Sequence, residues 1–238
     1  MTQSTIHKVF APIKRVLPPF LSNLLRSTAT AFLTPVFFSY RSGHFLSSFK
    51  MAAVTKEGDA LPWYTYPCID FLKYRSFEDK TVLEFGGGQS TLWWAKKAAR
   101  VVTVEGDRGW YEKLRNKVPA NVDLRFASMD SEAENVAAVR DIVASRKESS
   151  FDVIVIDGLY RAAMIEIAVR SMAQDGMIVC DNAEGYGIYE GFKERGLSRV
   201  DFYGYAPGVV LPHCTSVYFK AGSTYFDSHI PIHVPAND

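Results

Sequence analysis

From residue 80 onward the chain alternates between two kinds of segment, and this pattern constrains the fold more than any other feature. Short apolar, β-branched runs read as strands: "TVLEF" (81–85), "VVTVEG" (101–106), "VDLRFA" (122–127), "FDVIVID" (151–157), "GMIVCDN" (176–182), "RVDFYGYA" (199–206) and "TSVYFKA" (215–221). Between them, 89–99, 108–118, 131–147, 161–173 and a stretch around 189–194 read as helices. Val136, Val139 and Ile142 form one apolar stripe at three-residue steps. The unbroken apolar run Val153 to Ile156 suits a strand covered on both faces. Such alternation implies an α/β fold: a doubly wound, mostly parallel seven-stranded sheet with helices on both faces. Only a loop joins the last two strands, which predicts an antiparallel hairpin at one edge. In sheets of this kind ligands bind beyond the carboxyl ends of the strands.

The first strand runs into three consecutive glycines in "VLEFGGGQST" (82–91). Gly86, Gly87 and Gly88 allow a tight turn and a close approach of backbone to ligand. The helix behind them offers free N–H groups, and Ser90 is positioned to cap it. Glu105 ends the second strand, 19 residues beyond Gly86. An acid there can accept both hydroxyls of an adenosine ribose. That pattern fits NAD or S-adenosylmethionine. A dinucleotide fingerprint wants glycine at the sixth position, where Thr91 stands. Glu84, two residues before Gly86, is useless beside a pyrophosphate but suits the amino group of a methionine moiety.

The segment from about Lys80 to Phe219 resembles the class I S-adenosylmethionine-dependent methyltransferases, whose fold is Rossmann-like. "VLEFGGGQST" is similar to their first motif, with Ser90 where many members carry glycine, and "VVTVEGD" to their second. The resemblance implies that Glu84, Gly86, Gly87, Gly88 and Ser90 hold the amino-acid end of the cofactor and Glu105 the ribose. It implies that Gly106, Asp107 and Trp110 lie near the adenine, with Ser128, Met129 and Asp130 after the third strand and Asp130 accepting from the adenine amino group.

Asp157 ends the fourth strand, and Asp181 and Asn182 end the fifth. This set resembles the metal-dependent O-methyltransferases of catechol and caffeoyl type. There, three oxygen ligands would hold Mg2+, which would polarise a substrate hydroxyl. The resemblance departs at Tyr160, where catechol-type enzymes carry lysine, with Arg161 next. Tyr160 is a base only if its pKa is lowered, whereas Arg161 suits an anionic substrate group or a structural pair with Asp157. The metal-free alternative gives Asp157 to cofactor and substrate and leaves Asp181 and Asn182 to cap the next helix. Trp63, Tyr64 and Tyr66 in "LPWYTYP" (61–67) are candidate substrate-lining residues, with core or lid packing as the other reading. His213 is a candidate base. His229 and His233 have no zinc-like spacing partner.

Seven basic residues (Lys8, Lys14, Arg15, Arg26, Arg41, Lys50, Lys56) precede Glu57, the first acid, leaving 20 basic against 26 acidic side chains beyond. A basic, acid-poor N-terminal helical arm with its aromatic segment (1–74) is therefore expected before a methyltransferase domain (75–238). Pro18, Pro19 and Pro35 are expected to break any long helix in the arm. Three readings of the arm stand: a helical cap on the body, contact with an anionic membrane surface, or an organelle transit segment. The net charge of +1 does not suit a nucleic-acid partner. Cys68, Cys180 and Cys214 are too widely spaced for a disulfide framework and read as buried, reduced thiols, which suits the cytoplasm. The function expected is methyl transfer to a small-molecule, glycan-like or lipid-linked acceptor, on oxygen rather than nitrogen. Its rivals are an NAD-dependent oxidoreductase and a catalytically inactive S-adenosylmethionine-binding module.

Overall fold

A computed structural model describes residues 17–145 and 150–226. Lys8, Lys14, Arg15, His229, His233 and the last two residues of the stretch 131–147 lie outside the described residues. Helix α1 (Pro19–Arg41) and α2 (His44–Lys50) open the described chain, followed by α3 (Tyr66–Lys73). The alternating unit then runs β1 (Thr81–Phe85), α4 (Gln89–Ala95), β2 (Arg100–Glu105), α5 (Arg108–Arg115), β3 (Val122–Phe126), α6 (Glu132–Ala144) and β4 (Phe151–Ile156). A 3₁₀ turn (Ala162–Met164) leads into α7 (Ile165–Ser171), then β5 (Met172–Asp181), α8 (Ile188–Lys193), β6 (Ser198–Gly204) and β7 (His213–Phe219).

The seven strands form one sheet in the order β3-β2-β1-β4-β5-β7-β6. β1 pairs in parallel with β2 and β4, β3 with β2, and β5 with β4. β7 alone runs the other way, inserted antiparallel between β5 and β6. The expected edge hairpin is present, with its second strand on the inside. Because β2 follows β1 on one side and β4 joins on the other, the chain reverses direction across the sheet at β1. The carboxyl ends of β1, β4 and β5 therefore open into one crevice.

Alternate residues of each strand feed two cores. Leu83, Phe85, Val102, Ile154 and Ile156 pack beneath α6, α7 and α8, while Val82, Val101, Val153, Val155 and Val179 pack beneath α3 and α4. Burial on both faces accounts for the unbroken apolar run in β4. The stripe on α6 meets the first core through Val139, with Val136 and Ile142 half-buried against it. All three cysteines are free and buried.

Two expectations are corrected. Pro35 lies inside α1 without ending it. An interior proline costs about 3 kcal/mol through its lost N–H and ring clash, and here the helix continues on both sides. Pro19 sits in the first turn, where no N–H is needed. The stretch 161–173 is helical only to Ser171, and β5 begins at once with Met172 opposite Phe151.

Candidate active site

The glycine turn is built by sterics and by one carboxylate. Gly86 has φ +91°, and a Cβ there would stand 2.6 Å from the Asp157 carbonyl oxygen, so only glycine fits between β1 and β4. A Cβ on Gly87 would meet the Thr103 methyl at 2.7 Å. Beneath the turn Glu84 is fully buried. Its Oε2 accepts from the Thr91 hydroxyl at 2.5 Å and the Thr103 hydroxyl at 2.9 Å. Its Oε1 is buried and makes no hydrogen bond of acceptable geometry. Burial pushes the Glu84 carboxyl up to about 7, against the pull of the Ser90, Thr91 and Thr103 hydroxyls. Thr91 also accepts from the Gly88 N–H at 3.0 Å. It thus supports the turn that Ser90 was expected to cap, and Ser90 itself is buried.

Glu105 closes the turn from the next strand. Its Oε2 accepts from Gly87 N at 2.6 Å, and its Oε1 accepts from Gly106 N at 2.9 Å and Asp107 N at 2.7 Å. Burial nevertheless raises its pKa. Oε2 holds a single bond and retains acceptor capacity. Trp110 donates from Nε1 to the Gly87 carbonyl at 2.6 Å. Asp107 caps α5, accepting from Trp110 N at 2.6 Å, so its carboxylate is committed to the helix. Ser128 donates to Asp130 at 2.6 Å, and both are on the outer side of the loop after β3. Met129 leans on Gly106, where an added Cβ would stand 2.2 Å from its Cγ.

Across the crevice, the three oxygen-bearing residues expected around Mg2+ surround an arginine instead. Arg161 donates from Nη2 to Asp157 Oδ1 at 3.0 Å, from Nη1 to the Asp181 carbonyl at 2.5 Å and Asn182 Oδ1 at 3.0 Å, and from Nε to the Gly158 carbonyl at 2.9 Å. The Tyr186 ring lies 5.6 Å from its guanidinium carbon. The residues do not fit a divalent ion, because a fixed cation already fills the space between them. The magnesium expectation finds no support: Arg161 stands among Asp157, Asn182 and the Asp181 carbonyl, and no group of three or more His, Cys, Asp or Glu side chains placed for a metal occurs among the described residues. Asp157 is held above the usual carboxylate range by burial and by Asp181, partly offset by Arg161.

Asp181 turns its carboxylate the other way, toward β7. Its Oδ1 accepts from the Thr215 hydroxyl at 2.6 Å and pairs with His213 Nε2 at 3.2 Å. Neither Asp181 nor Asn182 caps α8, whose N-cap is Gly187. The bond to Asp181 raises the His213 pKa, opposed by burial. Tyr160 donates its hydroxyl to the Met129 carbonyl at 2.8 Å, so it braces the loop after β3.

The aromatic segment divides three ways. Trp63 lines the crevice and donates to the Pro207 carbonyl at 3.0 Å. Tyr64 is a core residue, fully buried, its hydroxyl accepting from Trp94 Nε1 at 3.2 Å. Tyr66 lines a separate cleft beneath α1. The crevice, about 610 Å³, joins the glycine turn, Glu105, Trp110, Asp157, Arg161 and His213, and can hold a nucleoside beside a small acceptor. Sequence reasoning missed Thr91 as a support and Asn135, whose amide clasps the Ala127 and Ser128 carbonyls at 2.8 and 2.9 Å. It also missed Tyr186. The "EGYG" stretch was the signal for it: Tyr186 has φ +64° at the crevice rim.

No family model and no curated protein matches the chain. Solved structures do. A precorrin-6y C5,15-methyltransferase from Geobacter metallireducens superposes with a TM-score of 0.53 at 15% identity, covering 73% of this chain and 96% of that one. A methyltransferase from Pyrococcus furiosus has a TM-score of 0.49 at 18% identity, covering 77% and 99%. A spermidine synthase from Thermotoga maritima has a TM-score of 0.46 at 15% identity, covering 62% and 54%. The chain has the Rossmann-like fold of the class I S-adenosylmethionine-dependent methyltransferases.

Proposed function

We propose that the chain is an S-adenosylmethionine-dependent methyltransferase acting, without a metal, on an oxygen of a small-molecule, glycan-like or lipid-linked acceptor. The observation that carries this reading is the charge of one crevice. Glu105 and Asp157 line it and Glu84 lies under it, against Arg161 and His213, while Asp181 borders it with its carboxylate turned to Thr215 and His213. Carboxyls held above their usual range by burial gain from a cation placed beside them and offer a pyrophosphate no partner, which supports a sulfonium cofactor over NAD.

The residues present fit that cofactor. Glu84 keeps a buried, unbonded oxygen for an ammonium group. Gly86, Gly87 and Gly88 line the crevice with backbone free of side chains, so a ligand can approach closely. Glu105 retains acceptor capacity for a ribose hydroxyl, while Trp110 and Met129 suit the adenine side. When bound, S-adenosylmethionine supplies an electrophilic methyl group.

The chain's own residues manage the proton. Asp181 Oδ1 holds Nε2–H of His213, which leaves Nδ1 to accept the proton of the acceptor hydroxyl. Asp157, fixed by Arg161, orients that hydroxyl. Trp63, Tyr186 and His213 border the acceptor end of the crevice. Incubation with methyl-labelled cofactor and a metabolite extract tests the reading. Label should move to an acceptor, EDTA should leave the rate unchanged, and His213→Ala should lower it by about 10²–10⁴-fold. Cofactor binding with no transfer to any acceptor would favour the inactive binding module. Loss of transfer with EDTA and recovery with magnesium would overturn the metal-free mechanism.

A further inference from the structure

Helix α1 sends Phe37 and Phe38 toward the body but leaves most of its other apolar residues on the outer side. Asn23, Arg26, Ser27, Thr30, Thr34 and Arg41 follow helical spacing along one stripe. Thr34 and Arg41 of that stripe line the cleft separating α1 from the body. The opposite side therefore points outward, and it carries Leu21, Leu25, Phe32, Val36 and Tyr40, every one exposed. Of 23 residues in the helix only Ser22 is buried. A helix gains most of its stability by burying an apolar face, and this face is bare.

The bare surface continues beyond α1. Phe45, Phe49 and Met51, in and just after α2, are 69%, 79% and 84% exposed. The β6–β7 loop packs directly on α2. A Cβ on Gly208 would stand 2.7 Å from Ser48 N, and Gly208 N donates to His44 Nδ1 at 3.2 Å. The tip of the same loop exposes Val210 (83%) and Leu211 (73%). α1, α2 and this tip thus bring exposed apolar side chains onto elements that touch one another, the kind of surface that marks a protein or membrane contact.

Charge selects the occupant. No acid occurs before Glu57, so neither helix sets a negative charge beside the apolar surface, and Lys50 is exposed on α2 next to Phe49 and Met51. A second copy of the chain would bring like charges together across a two-fold contact, with no acid on either helix to meet them. An anionic phospholipid surface accepts both the apolar side chains and the cations. No described helix is long and apolar enough to cross a membrane, so the contact lies at the interface.

We propose that α1, α2 and the 209–211 loop tip dock the protein on an anionic phospholipid bilayer. This inference does not rest on methyl transfer. Val209 lines the crevice beside the loop tip, so docking sets the acceptor end of the crevice close to the bilayer.

Flotation of the full chain with vesicles tests it. The protein should float with phosphatidylcholine–phosphatidylglycerol vesicles and stay behind with phosphatidylcholine alone, and added salt should weaken the association. Phe45→Ser with Phe49→Ser, and separately Val210→Ser with Leu211→Ser, should each lower partitioning about tenfold. Thermal unfolding of both variants should match the parent, since these side chains touch no core. Equal binding to both vesicle types, no binding to either, or dimerisation through this face with vesicles ignored would overturn the proposal.

Discussion

Glu84 is the residue whose state governs the proposed cofactor site. Burial raises its pKa to about 7, so below that pH the free protein keeps a proton there. An ammonium group beside Oε1 favours the ionised form. Affinity for S-adenosylhomocysteine should therefore rise with pH up to about 7 and then level off. Glu84→Gln should remove that pH dependence and weaken binding roughly 10–100-fold, the worth of a hydrogen bond to a charge; calorimetric titration at several pH values reads both effects. His213 works in the opposite sense. It accepts a proton only when neutral, and Asp181 raises its pKa above the ordinary histidine value. The rate should fall as pH drops through that raised value. Asp181→Asn should move this limb to lower pH, and an unmoved limb would show that His213 is not the base. The acids at strand ends were legible in the sequence, because carboxylates there have few structural uses. Thr91 was legible only as a missing glycine. Its bond to Glu84 depends on α4 folding back over β1, which spacing does not reveal. For Tyr64 the sequence left pocket and core both open, because an aromatic cluster before the first strand suits either, and the residue is buried in the core.

At the scale of elements, the order and type of the strands followed from period alone, and their ends did not. β5 starts four residues early because Met172 pairs with Phe151 before the ladder resumes at Val153, and residues 161–164 form a turn in place of a helical start. Pairings between loops were likewise out of reach. The loops after β2, β3 and β4 brace one another through Gly106 against Met129 and through the Tyr160 hydroxyl on the Met129 carbonyl. Gly106→Ala should force Met129 aside. A stability loss of about 1–3 kcal/mol is expected from the overpacking, along with weaker binding of S-adenosylhomocysteine. Adding Met129→Ala should recover part of the loss, and thermal unfolding of the single and double variants measures the coupling. Arg161 is the other case. The sequence offered it as a substrate anchor or a partner of Asp157. The turn between β4 and α7 makes it the latter, and extends its reach to Asn182 and the Asp181 carbonyl.

Across the whole molecule, the acidic body and the acid-free first 56 residues divide the work as proposed: the body binds a cationic cofactor and the arm meets an anionic surface. The fold was almost fully legible because seven strands with helices between them leave few topologies open. The reach of Arg161 beyond Asp157 to Asn182 and the Asp181 carbonyl was not, because it changes the chemistry of that set while leaving the motif intact. The central claim is that the glycine crevice binds S-adenosylmethionine. Calorimetric titration of the full chain with S-adenosylhomocysteine and, separately, with NAD tests it most directly. The account predicts saturable heat with S-adenosylhomocysteine that Glu84→Gln weakens, and none with NAD; heat with NAD alone would contradict it.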